Sequence, residues 1–453
     1  NLRGVSAIGY AMDYTLSHYV VDEGERGAFE HARGVLADAG WPVESLAFDP
    51  EAFTLGLCFD LELGNLVKAT RFGYVVRAQH GDEVLSFDEQ RRAYAGTVVE
   101  LGDERFEFMN TLFELSRASL WTQLVSVHDR TPLPGVTSYA HLYREIDRAL
   151  AAAHLEGALK AAIVEDPQRF VDLDPGIVAT LRDQRLAGKQ LLLITNSEWS
   201  YTRRMMSWCF DELMPDGDTW RDLFDLVVVA AAKPRFFAEV GPVYRVVDEE
   251  RGLLEPHWGE LRPGDVYHGG NAGMVEEALG HDPSQFLYVG DHLFGDVHVT
   301  KDVLRWRTCL IARELEAEIE AAAAFAHDEV RLREMMTDKT ALEAAHARAR
   351  MTRRRLVVAE ADRADADAEI ERLAGAIAAV DREIAPLARA ATEQGNAVWG
   401  PLMRAGVDKS LFARQVEKYA DVYTSRVSNF ADATPYAYLR AARGTLPHDR
   451  VGR

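Results

Sequence analysis

Cysteine is scarce in this chain: three thiols, Cys58, Cys209 and Cys309, stand far apart among 453 residues with no CxxC spacing. That excludes a disulfide framework, offers no cysteine-based zinc site and suits a reducing compartment, so the cytoplasm is the expected location. Long apolar runs are absent as well. No segment approaches the roughly 18 residues of a membrane-spanning helix, and the opening Asn1-Leu2-Arg3-Gly4 is not a signal peptide. Membrane association is therefore not expected, and a chain that starts on Asn rather than Met reads as a trimmed one. Basic residues are in deficit: 51 Lys and Arg face 72 Asp and Glu, for a formal net charge of -21. Phosphate backbones are bound through clustered Lys and Arg, so nucleic acid is excluded as a partner, while a locally positive pocket can still take a small anion. With 47% hydrophobic and 27% charged residues, what remains is a folded chain long enough for two or three domains.

Four stretches carry the chemistry. The apolar run Val5-Ser6-Ala7-Ile8-Gly9-Tyr10 reads as a buried strand that continues through Ala11-Met12 and delivers Asp13 and Thr15 to its carboxyl end. An acid there is a site candidate, because ligands of open α/β sheets sit outside the carboxyl ends of strands, and equally an acidic turn. Lys189 to Ile194 is a second strand, ending in Thr195-Asn196-Ser197. These side chains suit phosphate oxygens at a helix N-terminus, or plain helix capping. A third strand, Leu226-Val227-Val228-Val229, leads to Ala232-Lys233-Pro234, whose lysine either neutralises phosphate or is solvated. The fourth, Gln285 to Gly290, ends in Asp291-His292-Leu293-Phe294-Gly295-Asp296. Gly290 allows close backbone approach, and two carboxylates five residues apart suit a hard cation that keeps its waters, for which Mg2+ is the expected ion.

The order strand-Asp, strand-Thr-Asn, strand-Lys and strand-Gly-Asp-x4-Asp resembles the signature of haloacid-dehalogenase-type phosphatases. Met12-Asp13-Tyr14-Thr15-Leu16, Tyr267-His268-Gly269-Gly270-Asn271, the Asp291 to Asp296 loop and Ser410 to Asp421 narrow the resemblance to the cytosolic IMP/GMP-preferring 5'-nucleotidases, nearly end to end. That family's nucleophilic Asp falls at Ala11. The resemblance implies an α/β Rossmann-like core with an inserted α+β cap and a helical arm. It also implies Mg2+-dependent release, or transfer, of phosphate from purine nucleoside monophosphates through an aspartyl-phosphate. Asp13 would be the acid/base and, with Asp291 and Asp296, a metal residue. Thr195, Asn196 and Lys233 would hold phosphate, with Lys233 also aiding catalysis. Asn110, Phe113, His154 and Lys160 would contact substrate, Phe113 by stacking on the base. On the helix bearing His154, the positions where the family reads the purine are Asp147 and Ala151, which makes a modified nucleotide from a biosynthetic route an alternative substrate.

The expected organisation is core over residues 1–40, mainly cap over 41–185, core again over 186–312, a helical arm over 313–395 and a C-terminal segment over 396–453. The arm is expected as an antiparallel pair, residues 314–336 and 342–386, because Ile370, Leu373, Ile377, Val380, Ile384 and Leu387 repeat at three- and four-residue spacing. Such a seam packs on its own partner helix or on a second subunit, so a homo-oligomer is expected. Ala11 leaves two accounts: an active nucleotidase whose nucleophile was replaced to trap substrate, or a natural nucleotide-binding pseudoenzyme. Retention of Asp13, Thr195, Asn196, Lys233, Asp291 and Asp296 favours the first, because drift after loss of catalysis would erode them as well.

Overall fold

The computed structural model describes residues 1–155 and 158–441, with the side chains of residues 152–155 and 158 outside the description. Nine strands form the core sheet: β1 (Ala7–Tyr10), β2 (Gln190–Ile194), β3 (Leu226–Val229), β4 (Val243–Asp248), β5 (Leu253–Pro256), β6 (Val266–Gly269), β7 (Phe286–Gly290), β8 (Arg307–Ile311) and β9 (Val422–Thr424). In space they run β5-β4-β6-β3-β2-β1-β7-β8-β9. Neighbours from β6 through β9 are parallel, and β4 is antiparallel to both β6 and β5. The continuous apolar runs of the sequence are explained by this arrangement, since a parallel sheet is covered on both faces. Alternate residues feed two cores. Ile8, Tyr10, Leu193, Val227 and Val289 belong to one, and Ala7, Leu192, Val228, Phe286 and Tyr288 to the other.

From β1 the chain builds outward on one side through β2 and β3 and then returns to β7 on the other. The order reverses beside β1, so a crevice opens at the carboxyl ends of β1, β2, β3 and β7. Between β1 and β2 lies a separate antiparallel sheet of five short strands, Glu83–Val84, Val75–His80, Asn65–Ala69, Cys58–Asp60 and Phe106–Phe108 in spatial order. Helices Leu115–Arg130 and Tyr139–Leu155 pack beside it. The helix Ile177–Leu186 then belongs with the core, where its Gln184 accepts a hydrogen bond from Tyr10 Oη at 2.6 Å.

The arm is two helices, Leu315–Val358 and Ala364–Thr392, packed against each other along their length. The break expected at residues 337–341 is absent. Nothing in Thr337-Asp338-Lys339-Thr340-Ala341 stops a helix, and Thr337 and Thr340 turn their hydroxyls back onto the carbonyls of Arg333 and Met336. The reversal comes instead around Glu360, which adopts a left-handed φ of 54°. Leu373 and Ile384 are buried in the seam by the first helix of the same chain, and Lys339 pairs with Asp381 across it at 2.7 Å. Among the described residues no helix is long and apolar enough to cross a membrane.

One buried group gives the fold a pH dependence. His18 is 2% exposed, and neither ring nitrogen has a hydrogen-bond partner among the described residues. Burial, helped by the nearby Arg313 and Arg426, pushes its pKa down from 6.5 to about 4. A depressed imidazole favours the unfolded chain once protonated. The stability it leaves intact above about pH 6.5 is therefore lost as pH falls toward 4, by roughly 3 kcal/mol at most. Urea titrations between pH 4 and 7 are expected to show a steeper acid loss in this chain than in His18→Phe. Parallel acid limbs would contradict it.

Candidate active site

The tip of β1 is held in register when Ala11 donates its N–H to Val289 O of β7 at 2.9 Å. The chain then turns tightly, with the amides of Thr15, Leu16 and Ser17 all directed at Met12 O and Tyr14 in the left-handed region at φ 51°. This turn presents Asp13 to the crevice. One carboxylate oxygen accepts from Tyr19 Oη at 2.5 Å and the other from Ser197 Oγ at 2.8 Å, so its orientation is fixed from both sides. Tyr201 Oη sits 2.9 Å from Tyr19 Oη and extends the network.

The tips of β2 and β3 are tied together by Asn196. Its side-chain oxygen accepts from Lys233 N at 2.6 Å and its amide donates to Lys233 O at 3.2 Å. Lys233 Nζ thereby points inward, 2.7 Å from Asp296 and 2.9 Å from Tyr288 Oη, with 8% of its side chain exposed. Burial alone would lower its pKa. The Asp296 carboxylate outweighs that and holds the ammonium well above its ordinary value. Two of its three donors are engaged, leaving one for a ligand. Thr195 is buried beside it, its hydroxyl oxygen accepting from Ser197 N at 3.0 Å.

Gly290 ends β7 where no side chain fits: an added Cβ would lie 2.4 Å from one Asp296 carboxylate oxygen. The following loop folds back on itself. His292 Nδ1 accepts from Gly295 N at 2.9 Å, and His292 N donates to Asp296 at 3.2 Å. Asp291 stands next to this pair, with Thr15 Oγ1 3.4 Å away. Burial first, and then the Asp296 charge, raise its pKa well above the usual carboxylate range, with Lys233 opposing the shift. Ala11, Asp13, Phe113, Thr195, Asn196, Lys233, Asp291 and Asp296 all line one cleft of about 350 Å3.

Carboxylates, hydroxyls, an amide and a buried ammonium around one cleft at a sheet switch point are groups chemically suited to a phosphate ester. The 5' nucleotidase family model matches residues 1–451. The chain belongs to the 5' nucleotidase family. A 5'-nucleotidase domain-containing protein of Dictyostelium discoideum is 24% identical over 462 aligned positions, covering 99% of this chain and 73% of its own. Among solved structures, an archaeal beta-phosphoglucomutase from Pyrococcus is 10% identical with a TM-score of 0.32, covering 68% of this chain and 87% of its own. CbbY from Rhodobacter sphaeroides is 15% identical with a TM-score of 0.27, covering 68% and 86%. Scores this low carry no argument. The haloacid-dehalogenase-like α/β fold is read from the family match and the sheet order.

Not every residue expected of this family reaches the cleft in the expected way. Phe113 does, its ring edge-on to Tyr14 at 4.7 Å. Lys160 arrives from the helix Ala158–Glu165, with Nζ 3.3 Å from Ser197 Oγ and 4.9 Å from the Tyr201 ring centre. Asn110 does not line the cleft. Its amide donates to Phe108 O at 3.2 Å, while its side-chain oxygen is buried without a partner among the described residues. His154 lies on the helix Tyr139–Leu155, but its side chain is outside the described residues. Sequence reasoning missed Tyr19, Tyr201 and Tyr288. Tyr288 alone left a signal, as a hydroxyl in an otherwise apolar strand.

Among the described residues no three His, Cys, Asp or Glu side chains form a ready metal cage. The oxygens present still suit a hard cation. Asp291 meets Thr15 Oγ1 at 3.4 Å, whereas Asp296 is engaged by both Lys233 and His292 N. Removing one partner of a buried ion pair typically costs about 3–5 kcal/mol, because the other charge is left uncompensated. Lys233→Met is expected to lower stability by that order in chemical denaturation, and adding Asp296→Asn to recover part of it. A loss below about 1 kcal/mol for the single variant would show that the pair does not hold the cleft.

Proposed function

We propose that the chain binds a purine nucleoside monophosphate with Mg2+ in this cleft, and that Ala11 withholds the covalent step of a 5'-nucleotidase. The observation that carries the reading is the assembly of Asp13, Thr195, Lys233, Asp291 and Asp296 around Ala11, in a cleft otherwise equipped for phosphoryl transfer. Lys233 and the Thr195 hydroxyl would hold the phosphate, and Asp291 with the Asp13 carbonyl would hold the metal, which supplies charge neutralisation when bound. Asp13, fixed by Tyr19 and Ser197, would give its proton to the leaving 5'-oxygen. Phe113 offers the base a ring, and Lys160 meets Ser197, the residue that donates to Asp13. A methyl group at position 11 offers no nucleophile. It also removes a negative charge that would repel the phosphate, which favours binding over turnover.

A modified nucleotide is the second reading. Arg117 Nη2 donates to Asp147 at 2.6 Å and Nη1 to Glu114 at 2.7 Å, so the helix bearing His154 presents an ion-paired acid at one of the positions where the resemblance places purine reading. Association into a homo-oligomer is part of the same proposal. It rests on the outer face of the arm, where Ile319, Val330 and Met351 remain exposed, and light scattering at micromolar concentration decides it.

The central test is Ala11→Asp. That variant is expected to hydrolyse nucleoside monophosphates in Mg2+ through a hydroxylamine-labile phosphoprotein, with the chain as it stands at least about 10^4-fold slower. Calorimetry of the unaltered chain with IMP, GMP and AMP is expected to show binding. If Ala11→Asp binds nucleotide and Mg2+ but hydrolyses nothing across a phosphate-ester panel, a nucleotide-binding pseudoenzyme replaces the enzyme reading. If the unaltered chain binds no nucleotide at millimolar concentration, the trapping account fails.

A further inference from the structure

At the root of the arm lies a second cavity, of about 460 Å3, that shares no lining residue with the cleft. Its walls are the start of the helix Val21–Asp38, the loop 50–55, the segment carrying Leu112 and Leu115, the first turn of the arm and the returning residues 395–402. These walls are tied together. Asn396 donates its side-chain amide to Glu51 O at 2.8 Å, Trp399 Nε1 donates to Ala52 O at 3.1 Å, and Leu402 N donates to Glu318 at 2.6 Å. Lys68, which is 3% exposed and does not line the cavity, fastens the same segment by donating to the carbonyls of Trp399, Gly400 and Pro401.

The chemistry of the lining is one-sided. Phe53, Leu55, Leu112, Leu115 and Leu402 supply apolar surface, Glu51, Glu314 and Glu318 supply carboxyl groups, and no Lys, Arg or His lines the cavity among the described residues. The ammonium of Lys68 has no donor to spare for these acids, because all three are taken by carbonyls. Glu318 is engaged by the amides of Leu402 and Met403. Glu314 is not. Its Oε1 is buried with no hydrogen-bond partner among the described residues, and burial, with the Glu318 charge adding to it, pushes its pKa up from 4.5 to about 7. A buried carboxyl oxygen without a donor is costly, and a donor brought by a ligand removes that cost. Among the described residues the acids do not converge into a metal cage, so a bare metal ion is not the fit.

We propose that this cavity is a binding site for an organic ammonium ion with an apolar body, the ammonium donating to Glu314 and the body lying on Phe53, Leu112, Leu115 and Leu402. The volume is in the range of small-molecule sites. Charge decides the class of ligand. Carboxyl groups without a base repel an anion, and a neutral alcohol meets the need for a donor but leaves the charge unmatched. An ammonium supplies both, and a charge-assisted hydrogen bond gains strength where apolar walls exclude water. The assignment does not depend on what the cleft binds.

Calorimetry on the full chain with methylammonium, n-hexylammonium, 1-hexanol and hexanoate separates charge from apolar contact, at about 0.15 M salt to screen attraction to surface acids. Hexylammonium is expected to bind, with affinity rising roughly fourfold for each methylene buried along the alkylammonium series. Hexanol is expected to bind at least tenfold more weakly, and hexanoate not at all. Glu314→Gln is expected to weaken hexylammonium at least tenfold and to leave hexanol unchanged. Ala317→Trp, which fills the cavity from an exposed helix position, is expected to abolish both with thermal melting of the free chain preserved. Asp291→Asn, in the cleft, is expected to change neither. Equal binding of methylammonium and hexylammonium overturns the proposal, as does equal hexylammonium binding in Glu314→Gln and the unaltered chain, or none at millimolar concentration. Loss of binding in Asp291→Asn but not in Glu314→Gln puts the amine in the cleft and overturns it as well. No nucleotide enters these titrations, so the nucleotide reading and the ammonium site fail separately.

Discussion

The buried ion pair between Lys233 and Asp296 is the constraint around which the site is arranged. Desolvating two charges at the head of a sheet is costly, and attraction alone seldom offsets it. Here the remaining polar groups are met as well: Lys233 also donates to Tyr288, Tyr288 donates to Ile194 O at 2.9 Å, and Asp296 accepts from His292 N. One contact therefore joins the tips of β2, β3 and β7. It forms only because position 290 is glycine, which lets Asp296 lie against the strand end.

With those tips fixed, the site does not depend on the residue at position 11 for its shape. Ala11 is placed by its backbone bond to β7, and Asp13 by Tyr19 and Ser197, none of which needs a carboxylate at the head of β1. The energetic consequence lies in the electrostatics. Asp291 and Asp296 already crowd negative charge into one corner, as the raised pKa of Asp291 records, and a third carboxylate would add to it. The covalent step of the proposed reading would need that third group, and the architecture around position 11 is built without it.

Ser197 deserves the same weight as the motif residues around it. Its hydroxyl stands between Asp13 and Lys160, so the first core loop, the second core loop and the helix leading back from the cap meet at one oxygen. Two hydrogen bonds in series connect the helix Ala158–Glu165 to Asp13. The arm, by contrast, makes its seam with itself and lends nothing to the cleft among the residues that line it.

The sequence by itself determined the strands and their endings. Apolar runs closed by Asp13, Thr195-Asn196, Lys233 and Asp291 to Asp296 are local patterns, and a parallel sheet buried on both faces is what such runs form. It also determined that the seam from Ile370 to Leu387 would be covered by a helix. Only the tertiary structure decided which partner each polar side chain takes, because those partners come from distant parts of the chain. Tyr19 on Asp13, Tyr288 on Lys233 and Lys160 on Ser197 have no spacing signature, and Asn110, assigned to substrate, turns instead toward Phe108. The hairpin turn near Glu360 was hidden for a related reason. Residues 337–341 look as polar as a loop, and a helix continues through them because it packs on its neighbour, a preference that local composition does not encode.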